Sequence, residues 1–341
     1  MPEIKMGVLE ARVLVRKNAE TDSQFGISPS KRKIEELMNY GIVNIDKPKG
    51  PTSHQVSAYV QKILGIKKSG HSGTLDPGVT GVLPVAFGRA TRIVQSLLLA
   101  GKEYVGIIHI HKDIDDSKIR ETMKSFVGKI QQLPPIKSSV KRQLRTRNIY
   151  YIDIIEIDGR DILLRVGCQA GTYIRKLAHD FGEKLESGAH LSELRRTKAG
   201  PFDESTLCTL QDLSDAYYFW KNEGNEKFLR KIIQPVENAV MHLPKIWVFD
   251  STIQSLCHGA DLKIPGISKL NEGIEKDRLI AIMTLKNELI ALGTSCMDSN
   301  EMLGDSGLAV KTHKVFMLPE TYEPEKNESP NHRKRWGIHN K

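Results

Sequence analysis

His71-Ser72-Gly73-Thr74-Leu75-Asp76-Pro77-Gly78-Val79-Thr80-Gly81-Val82-Leu83-Pro84 is a stretch in which glycine and proline recur every few residues. Pro77 pushes the backbone of Asp76 toward an extended conformation, because the proline ring clashes with a helical residue before it. The flanking glycines allow tight turns and leave room for a ligand to approach the backbone. Such a loop would project one carboxylate from a rigid frame. An Asp-Pro pair taken alone more often makes only a local turn bond, so the meaning of Asp76 depends on its surroundings.

Upstream, Ile42-Val43-Asn44-Ile45 reads as a short strand, closed by the proline-constrained loop Asp46-Lys47-Pro48-Lys49-Gly50-Pro51. Residues 53–64 then place Val56, Tyr59, Val60, Ile63 and Leu64 at helical spacing, with Ser53 expected as the cap. Downstream, strands are expected at 104–111, 151–157 and 162–166, the last two joined by a hairpin turn at Asp158-Gly159-Arg160. Helices fit 116–127 and 173–185. Hairpins mixed with helices point to an α+β domain, not a doubly wound nucleotide-binding one. Residues 1–40 read as an N-terminal extension, helical only across 29–38, where Ser30 could cap the first turn. From 246 to 318 short β-like segments, such as 279–285 and 289–293, alternate with glycine and proline turns, which fits a small separate β-rich domain. Beyond Pro319 the chain is rich in Glu, Pro, Asn and Lys, a tail too polar to fold alone.

At 341 residues, two domains plus appendages are expected. Hydrophobic residues at 39% and charged residues at 27% belong to a soluble globular chain and exclude a disordered or fibrous one. Fifty Lys and Arg against 41 acids, a net +9, suit a polyanionic partner, since each neutralised phosphate releases counterions. A merely basic soluble protein has the same totals, and only the distribution of charge separates the two. The richest strip is 137–147, with Lys137, Lys141, Arg142, Arg145 and Arg147 and no acid, which reads as a phosphate-binding surface. Cys168, Cys208, Cys257 and Cys296 have neither zinc-ligand spacing nor the density of a disulfide framework. Cys168 ends an apolar run and reads as a small buried hydrophobe. No eighteen consecutive apolar residues and no signal core occur, so neither membrane nor secretion is expected, and the location expected is cytoplasmic. A phosphate-cradling loop, a dinucleotide fingerprint and a metal-ligand cluster are all missing from the sequence, so no metal and no cofactor are expected.

Gly73-Thr74-Leu75-Asp76-Pro77, followed by Gly81-Val82-Leu83-Pro84 and Gly88-Arg89-Ala90-Thr91-Arg92, resembles the catalytic segment of the TruB-type pseudouridine synthases. The resemblance continues in Lys47-Pro48-Lys49-Gly50-Pro51-Thr52-Ser53 upstream. Downstream it covers Lys102-Glu103-Tyr104, Gly171-Thr172-Tyr173-Ile174-Arg175 and Leu194-Arg195-Arg196-Thr197. These segments keep the family's order from Lys47 to Thr197. Within that family the chain looks closest to the archaeal relatives of dyskerin, because of the short passage from Arg92 to Pro134 and the segment from Pro134 to Tyr150.

The resemblance implies a mixed-sheet pseudouridine synthase domain at 41–235, an RNA-binding β-barrel of the PUA type at 245–319 and a flexible basic tail at 320–341. It implies Asp76 as the catalytic carboxylate, by attack on the sugar or by abstraction of a ribose proton. It implies Tyr104 stacking on the target base, Arg175 as the basic partner that aims Asp76, Tyr173 and Leu194 at the pocket edge, and His71 positioning the substrate. In the barrel it implies an RNA-gripping face at Gly259, Ala260 and Lys263. The expected partners are guide RNA and target RNA, ribosomal or transfer, with small accessory proteins of an H/ACA-type particle and a kink-turn-binding protein. A stand-alone enzyme acting on the transfer RNA T-loop is the alternative in the same chemistry. A non-catalytic RNA-binding scaffold is the alternative outside it, and the intact Asp76, Tyr104 and Arg175 argue against that.

Overall fold

The computed structural model describes residues 10–134 and 142–322, and the chain divides into two compact units. One is Arg32–Leu243; the other joins Ala11–Lys31 to the chain from Pro244 onward.

The Arg32–Leu243 unit is built on a nine-stranded sheet. Its path runs Ile233–Pro235, Gly41–Lys47, Thr80–Phe87, Ala189–Ala199, Lys102–Ile110, Asp161–Cys168, Arg145–Asp158 and Gly128–Gln132, with Ser69–His71 pairing Thr80–Phe87 off that path. Every pairing is antiparallel except the central one, where Thr80 and Gly81 lie parallel to Arg195 and Arg196. The expected hairpin is present: Asp158 pairs Asp161 across Gly159-Arg160, with Gly159 at φ +56° as a two-residue turn requires.

Each half of the sheet buries one face under helices. On one side Val43, Ile45, Leu83, Val85 and Phe87 pack with Val56, Val60 and Leu64 of Ser53–Leu64 and with Leu213 of Leu210–Glu223. On the other, Ile108, Ile162, Leu164 and Val166 pack with Ile119 of Asp116–Lys124 and with Leu177 and Phe181 of Ile174–Lys184. Removing each Val, Leu, Ile or Phe side chain from water contributes about 1.5–3 kcal/mol. This helix-on-sheet layering is the α+β class expected from the sequence.

Two helix starts differ from the sequence reading. Ser53–Leu64 is capped by Thr52, not Ser53: the Thr52 hydroxyl accepts from the Gln55 amide and Gln55 Oε1 accepts from the Thr52 amide, a reciprocal capping box. Ser53 is released for another partner described below. The 29–38 pattern splits into a single turn at Pro29–Lys31 and a helix at Ile34–Tyr40, with Lys33 at the cap position and no capping role for Ser30.

In the second unit the sheet order is Val13–Val15, Ile267–Asn271, Lys245–Val248, Leu279–Met283, Leu289–Ser295, Leu308–Val315 and Leu262–Lys263. These strands and the helix Asp250–Cys257 close around Ile246, Ile253, Leu256, Leu270, Ile280 and Ile290. The N-terminal segment is stitched in instead of hanging free. Val13 pairs Asn271, and the Thr21 hydroxyl and the Asp22 amide donate to Asp250. The Glu288 carboxylate accepts from the Ile27 amide at 3.1 Å and from the Tyr322 hydroxyl at 2.7 Å.

One contact controls how the helix Ile174–Lys184 seats. Gly182 lies against the chain entering Ala189–Ala199, where an added Cβ would fall 2.2 Å from the Ala189 amide nitrogen and 2.5 Å from Gly188. Gly182→Ala must therefore push the helix from the sheet, at about 1–3 kcal/mol. A fall in the urea unfolding midpoint at unchanged m-value is expected; an unaltered midpoint would show that the helix gives way freely.

Candidate active site

The loop that follows Ser69–His71 is fastened at nearly every residue except the side chain of Asp76. The Ser72 amide donates to the Pro84 carbonyl at 2.9 Å. The Gly73 carbonyl accepts from Arg196 Nη2 at 3.4 Å. The Leu75 amide donates to Ser53 Oγ at 2.8 Å, and that hydroxyl donates to the Leu75 carbonyl, so the residue expected to cap the helix holds the neighbour of Asp76. Lys47 Nζ donates to the carbonyls of Pro77 at 3.2 Å and Val79 at 2.8 Å, and the Gly50 amide also donates to Pro77. The Val79 amide closes a turn onto the Asp76 carbonyl at 3.0 Å. Gly81 has φ +102°, and a Cβ there would meet the Arg196 carbonyl at 2.2 Å; only glycine lets the loop return alongside Ala189–Ala199.

From this frame Asp76 projects with 57% of its side chain exposed, and its Oδ2 accepts from Arg175 Nη2 at 2.5 Å. Arg175 is the second residue of Ile174–Lys184, so loop and helix reach the same point from opposite halves of the sheet. A charge-assisted bond of this kind fixes the direction of the carboxylate.

Tyr104 lies on Lys102–Ile110, opposite Arg196 in the ladder. Burial pushes its phenol pKa up, and the guanidinium of Arg196 opposes that rise. Leu194, two residues before Arg196, pairs Gly106 and packs on the same core as Tyr104. Tyr173 stands at the start of Ile174–Lys184, with its amide and carbonyl both held by the Gln132 side chain at 2.9 and 3.1 Å. His71 closes its strand, its ring edge-on to His54 at 4.7 Å. Burial, then His54 and Arg196, push its pKa down to about 4.

Sequence reading missed two cations beneath the loop, Lys47 and Arg196, both essentially inaccessible to solvent. Both stood in the quoted motifs without a role. Alternation supplied the signal: if Leu194 faces inward on a strand, so does Arg196. Lys102 lies nearby, its ammonium donating to the carbonyls of Leu97, Leu98 and Ala100 while burial pushes its pKa down to about 7. On the other face of the same strand Glu103 accepts from Thr197 Oγ1 at 2.8 Å and from the Tyr151 hydroxyl, binding three strands together.

Of the basic strip, Lys137 and Lys141 lie outside the described residues. Arg142 is exposed, and Arg147 donates from Nε to the Gly171 carbonyl at 3.2 Å, which ties the strip to the segment that ends in Tyr173. In the second unit Gly259, at φ +88° with open space around its α-carbon, is followed by exposed Ala260 and Lys263. A cavity of about 610 Å³ on the first unit, lined by Ile107, His109, Asp161, Leu163 and His190, lies toward the far end of the same strands and includes neither Asp76 nor Tyr104. Among the described residues no group of three or more His, Cys, Asp or Glu side chains could hold a metal ion.

Acidification tests the packing of His71. The unfolded chain binds the imidazole proton near pH 6.5, the folded chain only near about 4. The stability this residue supports is therefore complete above 6.5 and lost as the pH falls through that window. His71→Gln is expected to flatten the fall of the thermal midpoint between those values; an unchanged slope would show that His71 titrates as if exposed.

Family models place this geometry. One for the N-terminal domain of TruB family pseudouridylate synthases matches residues 61–174, and one for the tRNA pseudouridylate synthase B C-terminal domain matches 175–241. A DKCLD domain model matches 8–57 and a PUA domain model 244–316. The chain is 56% identical over 317 residues to a probable tRNA pseudouridine synthase B of Pyrococcus abyssi, covering 92% of this chain and 95% of that protein. The counterpart in Methanopyrus kandleri is 51% identical, with 96% and 95% covered. Among solved structures it is similar to a chain of a Cbf5-Nop10-Gar1 complex, with TM-score 0.89, 55% identity and 93% and 97% covered. It is also similar to a chain of an H/ACA RNP bound to a substrate RNA containing 2′-deoxyuridine, with TM-score 0.87, 54% identity and 92% and 97% covered.

Proposed function

Because the chain belongs to the TruB family of pseudouridine synthases, we propose that it isomerises uridine to pseudouridine at Asp76, in RNA chosen by a guide strand, as the catalytic subunit of an H/ACA-type particle. The observation that carries the catalytic part is the exposed Asp76 carboxylate, held at 2.5 Å by Arg175 on an otherwise immobilised loop. The reaction breaks the bond from C1′ to N1 of uracil and forms one from C1′ to C5; the proton lost from C5 balances the one gained at N1. The base must detach, rotate and return without escaping. A carboxylate serves this either by attacking C1′ or by taking a ribose proton, and both require an exposed, fixed oxygen. Tyr104 supplies a surface on which the flipped base stacks; Tyr173 and Leu194 border it, and His71 positions the neighbouring nucleotide.

The assembly part is supported by the solved relatives, which are similar along more than nine tenths of this chain and were seen with Nop10, with Gar1 and with substrate RNA. Guide RNA and a kink-turn-binding protein complete the proposed particle. Within it residues 41–235 form the catalytic domain, and the PUA domain at 245–319 grips RNA through Gly259, Ala260 and Lys263. Residues 1–40 and 320–341 flank these, and Lys137, Lys141, Arg142, Arg145 and Arg147 contact phosphates. Acting on RNA, the enzyme works in the cytoplasm and needs no cofactor. A second reading, an enzyme acting unaided on transfer RNA, is favoured by the names of the curated relatives, probable tRNA pseudouridine synthases B.

The test measures pseudouridine formed by the purified chain, alone and with guide RNA plus accessory proteins. Guided activity is expected, with Asp76→Asn lowering it roughly 10³–10⁴-fold or more. Activity only on unguided transfer RNA would replace the guided reading with the second, and full activity in the Asp76→Asn variant would remove Asp76 from the chemistry.

A further inference from the structure

Arg196 is a full positive charge with 1% of its surface exposed. Among the described residues no carboxylate lies within ion-pair distance of it, whereas its neighbour Arg195 is paired with Asp46 and Glu204; burial lowers its pKa and Tyr104 raises it. Burying a guanidinium without an acid partner is expensive, and it persists only where other groups fill its donor positions. Here they do. Nε donates to the Val82 carbonyl at 2.8 Å, Nη2 donates to the Gly73 carbonyl at 3.4 Å, and Arg196 stands directly opposite Tyr104 in the strand ladder, where paired side chains share one face. Gly73 begins the loop that carries Asp76, Val82 lies just beyond its end, and Tyr104 lies on the neighbouring strand. A planar fork of five donors reaches both carbonyls and has donors left for the Tyr104 side of the ladder.

We infer that Arg196 is a positioning residue that locks the stacking ring of Tyr104 and the loop carrying Asp76 into one geometry. The inference rests on the reading of Asp76 and Tyr104 given above. The target base settles on one of these groups while its sugar faces the other, so relative displacement of the two degrades the reacting geometry while leaving the RNA-binding surface intact. Losing Arg196 therefore acts on the chemical step, not on RNA affinity.

The experiment uses the full chain assembled with guide RNA and accessory proteins. It measures the single-turnover rate of pseudouridine formation, the dissociation constant for target RNA and the thermal midpoint. Arg196→Gln is expected to slow the single-turnover rate by about 10²-fold, the scale of an ångström-sized misplacement, with RNA affinity changed less than about threefold, a free-energy change under half of a tenfold one. Arg196→Lys, which restores the charge without the fork, recovers part of the rate. Combining Arg196→Gln with Tyr104→Phe, which keeps the ring and removes the hydroxyl, adds little further loss, because both break the same link. A folded Arg196→Gln or Arg196→Lys variant with wild-type rate would overturn the inference, and so would rate losses that simply add in the double variant. If Arg196→Gln does not fold, Arg196→Lys and Tyr104→Phe carry the same comparison. Wild-type protein inactive on every RNA would instead overturn the proposed function, and the inference with it.

Discussion

The arrangement depends on two buried cations bonded to backbone carbonyls. Lys47 holds the carbonyls of Pro77 and Val79, and Arg196 those of Gly73 and Val82. Together they grip the loop on both sides of Asp76, whose side chain is held, among the described residues, only by Arg175. A loop is ordinarily the most mobile part of a fold. Here its backbone acceptors are satisfied by charges that lie too deep for water to replace, so the loop behaves as part of the sheet. Breaking such a bond would leave a buried charge without its acceptor, a penalty that keeps the loop in place.

The grip only has meaning because of where the sheet brings its halves together. Thr80–Phe87 meets Ala189–Ala199 in the one parallel pairing of the nine-stranded sheet. The two helix-covered cores lie on either side of that seam. Asp76 comes from one half, Tyr104 and Arg175 from the other, and Arg196 sits on the seam itself. Two rigid layers thus supply the precision that function requires of a loop, which is the physical basis of preorganisation. The carboxylate, its arginine and the Tyr104 ring proposed to stack on the base are in place before any substrate arrives.

Much of this was legible in the sequence. A short β-rich run located the strand around residues 42–45, and the period-two and helical patterns located the strand and helices around 53–64, 104–111 and 173–185. The run from His71 to Pro84 announced a constrained carboxylate through proline and glycine chemistry alone, and family resemblance supplied its partner. What failed was local competition or long-range pairing. Thr52 and Ser53 are both good caps, and the sequence cannot show that Leu75, 22 residues away, claims the Ser53 hydroxyl. The pairing of Val13 with Asn271 spans about three quarters of the chain, so residues 1–40 read as an extension although 11–31 belong to the second unit. Arg196 escaped notice because arginine is assigned to surfaces by default, and its acceptors are carbonyls that no side-chain pattern reveals. The cavity near His109 is lined by neither Asp76 nor Tyr104.

The claim that Asp76, Tyr104 and Arg175 meet the target nucleotide together is tested most directly by a structure of the assembled chain bound to RNA carrying 2′-deoxyuridine at the target position. The uracil ring is expected against Tyr104, with an Asp76 carboxylate oxygen about 3–3.5 Å from sugar carbon C1′ or C2′, the separation of a reacting pair. A target nucleotide still stacked in its helix, or seated away from this loop with Asp76 facing solvent, would contradict it.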